Sequence, residues 1–339
     1  MSLYGGAVRF EAYHQLDGRP NVIVDGSPTE GTVLTVTHWP GYPAPEAVAA
    51  DLSAQMAFRM LEQPQLIPPG VELVSNNHFD QDGLVSILAL VDPESAVPRR
   101  RLLEDVARAG DFATFDDRDA ARLSMAIAAA ARGEDSSAPT LPEDYAELTG
   151  ILYADLIERL PAWCDDPSSV EALWAEEDAT LTASDDAFER GDVTIDEHAD
   201  VDLAVVRVTG DAPVAGGHRF GSSWAAGLHP MAVYARTDRN VVATVRGRTY
   251  QIEQRYESWV QYRSRTVRGR RDLARLAERL NDFEQGGDAT WSATSVGAIT
   301  PTMTSGDGDS SLDAEKVVGL LVDHLATAPV AWDPFRPAS

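Results

Sequence analysis

The sequence predicts an α/β fold, with a mainly parallel sheet and flanking helices, followed by a smaller α+β second domain. Three observations carry that prediction. The first half alternates β-branched runs with stretches of helical periodicity, the pattern of a parallel layered sheet. The texture becomes strand-rich after about Asp192. The 339 residues exceed the size at which a single core stops growing, so two domains of roughly 150 residues each are expected.

Val8 to Ala12 and Val22-Ile23-Val24 read as short strands, and Thr32 to Thr37 is a β-branched run ending at His38-Trp39-Pro40-Gly41. A helix is expected from about Pro45 to Glu62, because Leu52, Met56 and Met60 recur at helical spacing. The strand Val71 to Ser75 runs into Asn76-Asn77-His78-Phe79-Asp80-Gln81-Asp82-Gly83, and Leu84 to Leu90 opens the next helix, which stops at Asp92-Pro93. Helical patterns continue over 100–109, 118–132 and 144–160. The expected division is an α/β domain over 1–165, an acidic helical connector over 166–191 with a helix from Ser169 to Asp178, and an α+β domain over 192–339. In that last part Leu203 to Val208, Met231 to Ala235, Val241 to Gln251 and Thr290 to Ile299 read as strands. Arg270 to Phe283 and Leu312 to Ala326 read as helices, and Ser305 to Asp309 as a polar loop.

A net charge of −26 repels nucleic acid and anionic membranes over most of the surface, which argues against long duplex nucleic acid as a partner. No run of about 18 apolar residues is present to span a bilayer. The start, Met1 to Gly6, has neither a basic nor a continuous apolar region, so a cytoplasmic protein is expected, with a homodimer allowed. Cys164 is the only cysteine, which excludes an intrachain disulfide and a thiolate zinc site. Asp165 and Asp166 beside it disfavour a nucleophilic thiolate. Lys316 is the only lysine among plentiful arginines, a bias that fits a high-GC or salt-adapted source, so the acidity is read as solubility first.

The chemistry concentrates in Asn76 to Gly83. A strand that stops in a loop holding His78, Asp80 and Asp82, then enters a helix, puts three metal-ligating side chains where open α/β sheets bind ligands. Imidazole with carboxylates and no thiolate suits Mn²⁺, Mg²⁺, Fe²⁺ or Zn²⁺. Gly83 is expected to let the backbone turn tightly, with the helix N-terminus offering N–H groups to a phosphate. The plain alternative is that Asp80 and Asp82 are turn residues and helix caps. A calcium-loop reading starting at His78 fails because Ala89 stands where the bidentate glutamate belongs. Phe79-Asp80-Gln81-Asp82-Gly83 also resembles the nucleophile motif of haloacid-dehalogenase-type phosphatases, with Leu84 where those carry threonine.

His78-Phe79-Asp80-Gln81-Asp82-Gly83-Leu84-Val85-Ser86 resembles the His-x-Asp-x-Asp-Gly-x-x-Ser motif of DHH-family phosphoesterases. The resemblance implies a two-manganese centre at the end of a parallel strand, with His78, Asp80 and Asp82 as ligands and a further aspartate from the next strand, for which Asp111 is the candidate. Asn77 and Ser86, beside and within the same motif, are nominated as substrate contacts. The Asp-His-His triplet of that family does not occur in this chain, and His38 is the candidate for the missing imidazole. Gly216-Gly217-His218 followed by Ala225-Ala226-Gly227 resembles the substrate loop of the associated domain at longer spacing, which nominates His218.

Between Arg246 and Arg275 the local charge reverses, with Tyr250, Tyr256, Trp259 and Tyr262 interleaved. Guanidinium groups grip phosphate and aromatic rings stack bases, so Arg255, Arg263 and Arg265, close to Trp259, are nominated as substrate-facing. The alternative is that these arginines pair with the surplus carboxylates. The function expected from the sequence is metal-assisted hydrolysis of a phosphate ester or anhydride, on a small phosphorylated ligand or short nucleotide, with Asp80, Asp82 and His38 as the catalytic set. The alternatives are an inactive DHH-like module that binds or senses a nucleotide, and a haloacid-dehalogenase-type phosphatase.

Overall fold

Asn21-Val22-Ile23-Val24 is buried along its whole length, as a strand covered on both faces must be. A computed structural model describes residues 8–42, 44–209, 227–286 and 288–336. In it Arg9–Phe10 (β1), Asn21–Val24 (β2), Thr32–Val36 (β3) and Leu73–Ser75 (β4) form a four-stranded sheet in the order β1-β4-β2-β3. Every pairing in this sheet is parallel. Helices flank it: Ser53–Leu61 (α1), Gln81–Val91 (α2), Pro93–Ala96 (α3), Arg100–Asp111 (α4), Arg118–Ala131 (α5) and Tyr145–Asp165 (α6). The α/β class expected from the alternating pattern is the one observed.

Burial explains why α2 is so apolar. Every residue from Gln81 to Leu90 is buried, between the sheet and the packed helices α1 and α4. Leu84, Ile87 and Leu88 are fully enclosed, each contributing about 1.5–3 kcal/mol of burial free energy. A helix gripped on all sides fixes the direction of its first turn. Here that turn is Gln81-Asp82-Gly83, so the motif sits on rigid structure.

The starts of α1 and α2 differ from the sequence reading. α1 begins at Ser53, not near Pro45, because Pro45 to Ala49 is a turn closed by the Val48 and Ala49 N–H groups on the Pro45 carbonyl. α2 begins at Gln81, so Asp82 is carried by the helix instead of the loop before it.

The chain divides into two compact units, one comprising the residues up to Asp178 together with Tyr262–Ser264, the other Ala179–Gln261 with Arg265–Ser339. The division falls inside a continuous helix, Glu171–Arg190 (α7).

The second unit is built on Val193–His198 (β5), Leu203–Val208 (β6), Val241–Arg246 (β7) and Thr249–Gln254 (β8). Beyond a short pair of strands, Arg270–Arg271 (β9) with a later partner, Ser292–Ala293 (β10) and Thr302–Thr304 (β11) complete a mixed sheet ordered β10-β11-β8-β7-β6-β5. The β6–β7 pair is parallel and the other pairs are antiparallel. Val330–Trp332 (β12) pairs with β9. Pro230–Tyr234 (α8), Ala274–Phe283 (α9) and Ala314–Thr327 (α10) are its further helices. Leu203, Val205, Ala243, Ile252 and Met303 on one sheet face pack with Leu276, Leu280 and Leu321 of α9 and α10.

Three strand expectations and one helix start are corrected, the helix expected from Arg270 beginning at Ala274 because Arg270–Arg271 pairs with β12 as a strand. Met231 to Ala235 is helical, because Pro230 sits at the first helical position and His229 Nδ1 accepts the Met231 N–H as a cap. Val241 to Gln251 is a hairpin that turns at Gly247-Arg248, where Gly247 takes a φ of +58° suited to a two-residue loop. Arg248 therefore lies in a turn and shares no strand face with Arg246. From Thr290 to Ile299 only Ser292–Ala293 is strand. Among the described residues, no helix is long and apolar enough to cross a membrane.

Candidate metal centre

Parallel pairing aligns the carboxyl ends of β2, β3 and β4 along one edge of the first sheet. Each is followed by a residue of a type that can ligate a cation: Asp25 after β2, His38 two residues after β3, and His78 to Asp82 after β4. The last residue of α4, Asp111, joins them. The expected aspartate is thus present, but it ends a helix and does not follow a strand.

His38 Nε2 lies 3.5 Å from Asp25 Oδ1, 3.5 Å from Asp111 Oδ2 and 3.9 Å from Asp82 Oδ2. His78 Nε2 lies 2.8 Å from Asp80 Oδ2 and 3.5 Å from Asp25 Oδ2. Two triads emerge, Asp25-His38-Asp82 and Asp25-His78-Asp80, each with its ligand atoms within 4.8 Å of one another. Asp25 belongs to both. The first triad is wholly buried, whereas the His78 and Asp80 side chains keep 21% and 32% of their exposure, so the cluster is approached from their side.

The surroundings orient these side chains. His38 Nδ1 meets the Asp51 carbonyl at 2.5 Å; a carbonyl only accepts, so Nδ1 carries a proton and Nε2 is the ring atom turned toward the cluster. Asp82 accepts the Ser53 N–H at 2.8 Å and the Ala54 N–H at 2.7 Å, replacing the side-chain cap that Leu52 cannot supply to α1. Ser53 Oγ donates to Asp25 Oδ1 at 2.8 Å, while Asp25 Oδ2, also buried, accepts no hydrogen bond. Asp25 takes a φ of +46°, a left-handed conformation that aspartate adopts more readily than most non-glycine residues. Tyr153 of α6 donates to the His78 carbonyl at 2.8 Å, and the Trp39 ring lies 5.1 Å from the His78 ring.

Asp80 is indeed the N-cap of α2, accepting the Gly83 N–H at 2.8 Å through Oδ1, while its Oδ2 faces His78. That N–H is therefore committed to the cap and not open to a phosphate. Nor does Gly83 serve a tight turn with positive φ: a Cβ there would stand 2.4 Å from both Asn76 Nδ2 and Tyr153 Oη, so close approach demands glycine.

Electrostatics set the proton inventory. Burial, then the charges of Asp80, Asp82 and Asp111, push the Asp25 carboxyl well above the usual range, against the Ser53 hydroxyl. Burial also raises Asp82; the His38 ring opposes this, the Asp80 charge adds to it, and the Ala54 and Ser53 N–H groups hold it back. Asp80 is burdened by burial too, yet the His78 charge and hydrogen bond, with the Gly83 N–H, bring it below its ordinary value. Burial depresses His78, but the Asp80 charge and hydrogen bond, then the Asp82 charge, carry it above the ordinary imidazole value. Among the described residues, Asp25, Asp80 and Asp82 pair with no arginine or lysine. The cluster gathers buried carboxyl groups without a guanidinium or ammonium partner, a setting in which a bound cation would offset the cost of charging them.

The remaining nominated residues lie elsewhere or serve other ends. Asn77 Oδ1 accepts the Ser27 N–H at 2.9 Å, tying two loops together. Ser86 is fully buried inside α2, out of reach of a substrate. Arg255 does not face substrate: it is buried at 1% exposure, paired with Glu257 at 2.5 Å, bonded to the Thr237 carbonyl and stacked on Tyr234. Arg265 approaches the same Glu257 at 3.6 Å, and Arg263 approaches Glu46 at 3.4 Å. For these arginines the pairing alternative describes the structure. His218 lies outside the described residues.

The residue missed by sequence reasoning is Asp25. Its signal was the β-branched run Val22-Ile23-Val24 stopping at Asp25-Gly26, a strand end with its own carboxylate. No curated protein and no solved structure matches the chain. One family matches residues 6–336, nearly the whole length, and the chain accordingly belongs to DUF6687, a family of unknown function.

Proposed function

We propose that this cluster binds two divalent cations bridged by Asp25 and hydrolyses a phosphate ester or anhydride of a small phosphorylated ligand or short nucleotide. The observation that carries the reading is the membership of Asp25 in both triads, with a buried carboxylate oxygen that accepts no hydrogen bond. The donor set fits such ions: imidazole and carboxylate without thiolate suits Mn²⁺ first, with Mg²⁺, Fe²⁺ or Zn²⁺ also accommodated. Asp25, His38, Asp82 and Asp111 would hold one ion, and Asp25, His78 and Asp80 the other.

When bound, the cations supply Lewis acidity toward a phosphoryl oxygen and toward water. The chain's own residues supply position. The Asp51 carbonyl keeps His38 Nε2 turned inward, and the Ser53 and Ala54 N–H groups fix Asp82. The half-open His78 and Asp80 are the side on which a phosphate is received. With His38 in place, the absence of an Asp-His-His triplet does not leave the site short of imidazole. The test is calorimetric titration of the metal-free chain with Mn²⁺, followed by assay on nucleotide, polyphosphate and aryl phosphate substrates. Two bound ions, both lost in Asp25→Ala and one in Asp80→Ala, with turnover abolished in each, is the expected result. A chain that binds no Mn²⁺ and cleaves none of these substrates refutes the proposal.

A further inference from the structure

Asp51 faces two ways. Its carbonyl receives His38 Nδ1, while its carboxylate Oδ1 accepts the backbone N–H groups of Arg263 and Ser264 at 2.5 and 2.9 Å. Arg263 and Ser264 are more than two hundred residues away in sequence, yet they belong to the same compact unit as the cluster. The neighbouring Tyr262 packs edge-on against Phe112 with ring centroids 5.2 Å apart, and Phe112 follows the ligand Asp111 and lies 6.2 Å from the His38 ring. Three residues thus touch the segments on both sides of the buried triad. From Asp51 to Ala54 the chain also contacts Asp25 through Ser53 Oγ and Asp82 through two N–H groups. One short stretch therefore sets the position of His38, Asp25 and Asp82 together, and its outer end is fastened by Tyr262–Ser264.

We propose that Asp51 is a positioning residue that couples cation binding at the buried triad to the docking of Tyr262–Ser264 onto it. The proposal rests on the cation reading above and adds a regulated element to that site. Linkage makes the coupling reciprocal: a docked segment tightens the cation, and a bound cation holds the segment down by the same factor. Loss of the outer partner of a metal-ligating histidine commonly changes affinity by about 10–100-fold; Asp51→Ala keeps the carbonyl on His38 and loosens only its anchorage, so the low end of that range is expected.

The experiment uses the full chain and Mn²⁺. Hydrogen exchange at the Arg263 and Ser264 amides is followed without and with Mn²⁺, and Mn²⁺ affinity is measured by titration for the wild type, Asp51→Ala and Asp51→Asn. Expected are roughly tenfold slower exchange at those two amides when Mn²⁺ is added, and roughly tenfold weaker Mn²⁺ binding in Asp51→Ala. Asp51→Asn, which keeps one acceptor oxygen, should recover much of the affinity, a rescue that general loss of packing would not produce. Wild-type binding with exchange at Arg263 and Ser264 indifferent to Mn²⁺ overturns the coupling and leaves the cation reading intact, without requiring any variant to fold. Unchanged affinity in Asp51→Ala does the same. A wild type that binds no Mn²⁺ overturns both.

Discussion

Asp82 Oδ2 accepts the Ser53 backbone N–H at 2.8 Å, so a carboxylate on one buried helix closes the first turn of another. Its second oxygen does the same for Ala54. Asp82→Ala and Asp82→Asn remove the same charge, but alanine leaves both buried N–H groups without an acceptor while asparagine still offers one oxygen. Urea unfolding of the metal-free chain should therefore find the alanine variant less stable than the asparagine variant by about 1 kcal/mol or more. Equal stability would show that the helix does not depend on this carboxylate.

Gly83→Ala introduces a Cβ where Asn76 Nδ2 and Tyr153 Oη each stand 2.4 Å away. Both neighbours are enclosed, so the overlap should cost about 1–3 kcal/mol. Removing the tyrosine hydroxyl makes room at the expense of its bond to the His78 carbonyl. Tyr153→Phe should accordingly destabilise the Gly83→Ala chain less than it does the wild type, a non-additivity readable in a double-mutant cycle of thermal unfolding.

Sequence and structure agree where chemistry is contiguous. His78, Asp80 and Asp82 lie in one segment at a strand end, and they are legible because no other element is needed to bring them near one another. Asp25 is different. Its place in the site comes from the pairing of β2 beside β4, a long-range event, and in isolation Asp25-Gly26 reads as an ordinary turn. The start of α1 was hidden for a related reason: its cap is Asp82, 29 residues further on, so no local cap signals Ser53. In the second unit Met231 to Tyr234 has the composition of a strand, and Pro230 with its His229 cap decides for helix. The charge of Arg255 was plain, but its burial over Tyr234 and against Glu257 follows only from the fold.

That burial predicts how Arg255 fails. Arg255→Ala would leave Glu257, 3% exposed, with only the more distant Arg265 as counter-ion. A loss of about 3–5 kcal/mol of stability is expected, the range for breaking a buried pair. Replacing both residues by apolar ones should recover a large part of it. If Arg255→Ala instead keeps wild-type stability and raises only KM for a phosphorylated substrate, a substrate-gripping role is restored.

Acid should weaken the second unit through Glu284. Against the opposing effect of burial, the Ser310 and Ser311 hydroxyls, Trp291 Nε1 and the Ser311 N–H bring this carboxyl from 4.5 down to about 2. A folded value below the unfolded one means the contribution is fully present above about 4.5 and is lost as the pH falls toward 2. Glu284→Gln should flatten the fall of the thermal midpoint across that interval, leaving the slope above pH 5 unchanged. An identical acid profile in the variant would remove Glu284 from the account.

The cluster is assembled from four stretches of chain, around Asp25, His38, His78 to Asp82, and Asp111, none of which holds more than one part of the buried triad. Only His78, Asp80 and Asp82 are brought near one another by the sequence itself; the buried triad converges once β2 lies between β4 and β3. On the proposed reading, a cation would meet a complete triad only in the finished fold, and would reach it past the half-exposed His78 and Asp80.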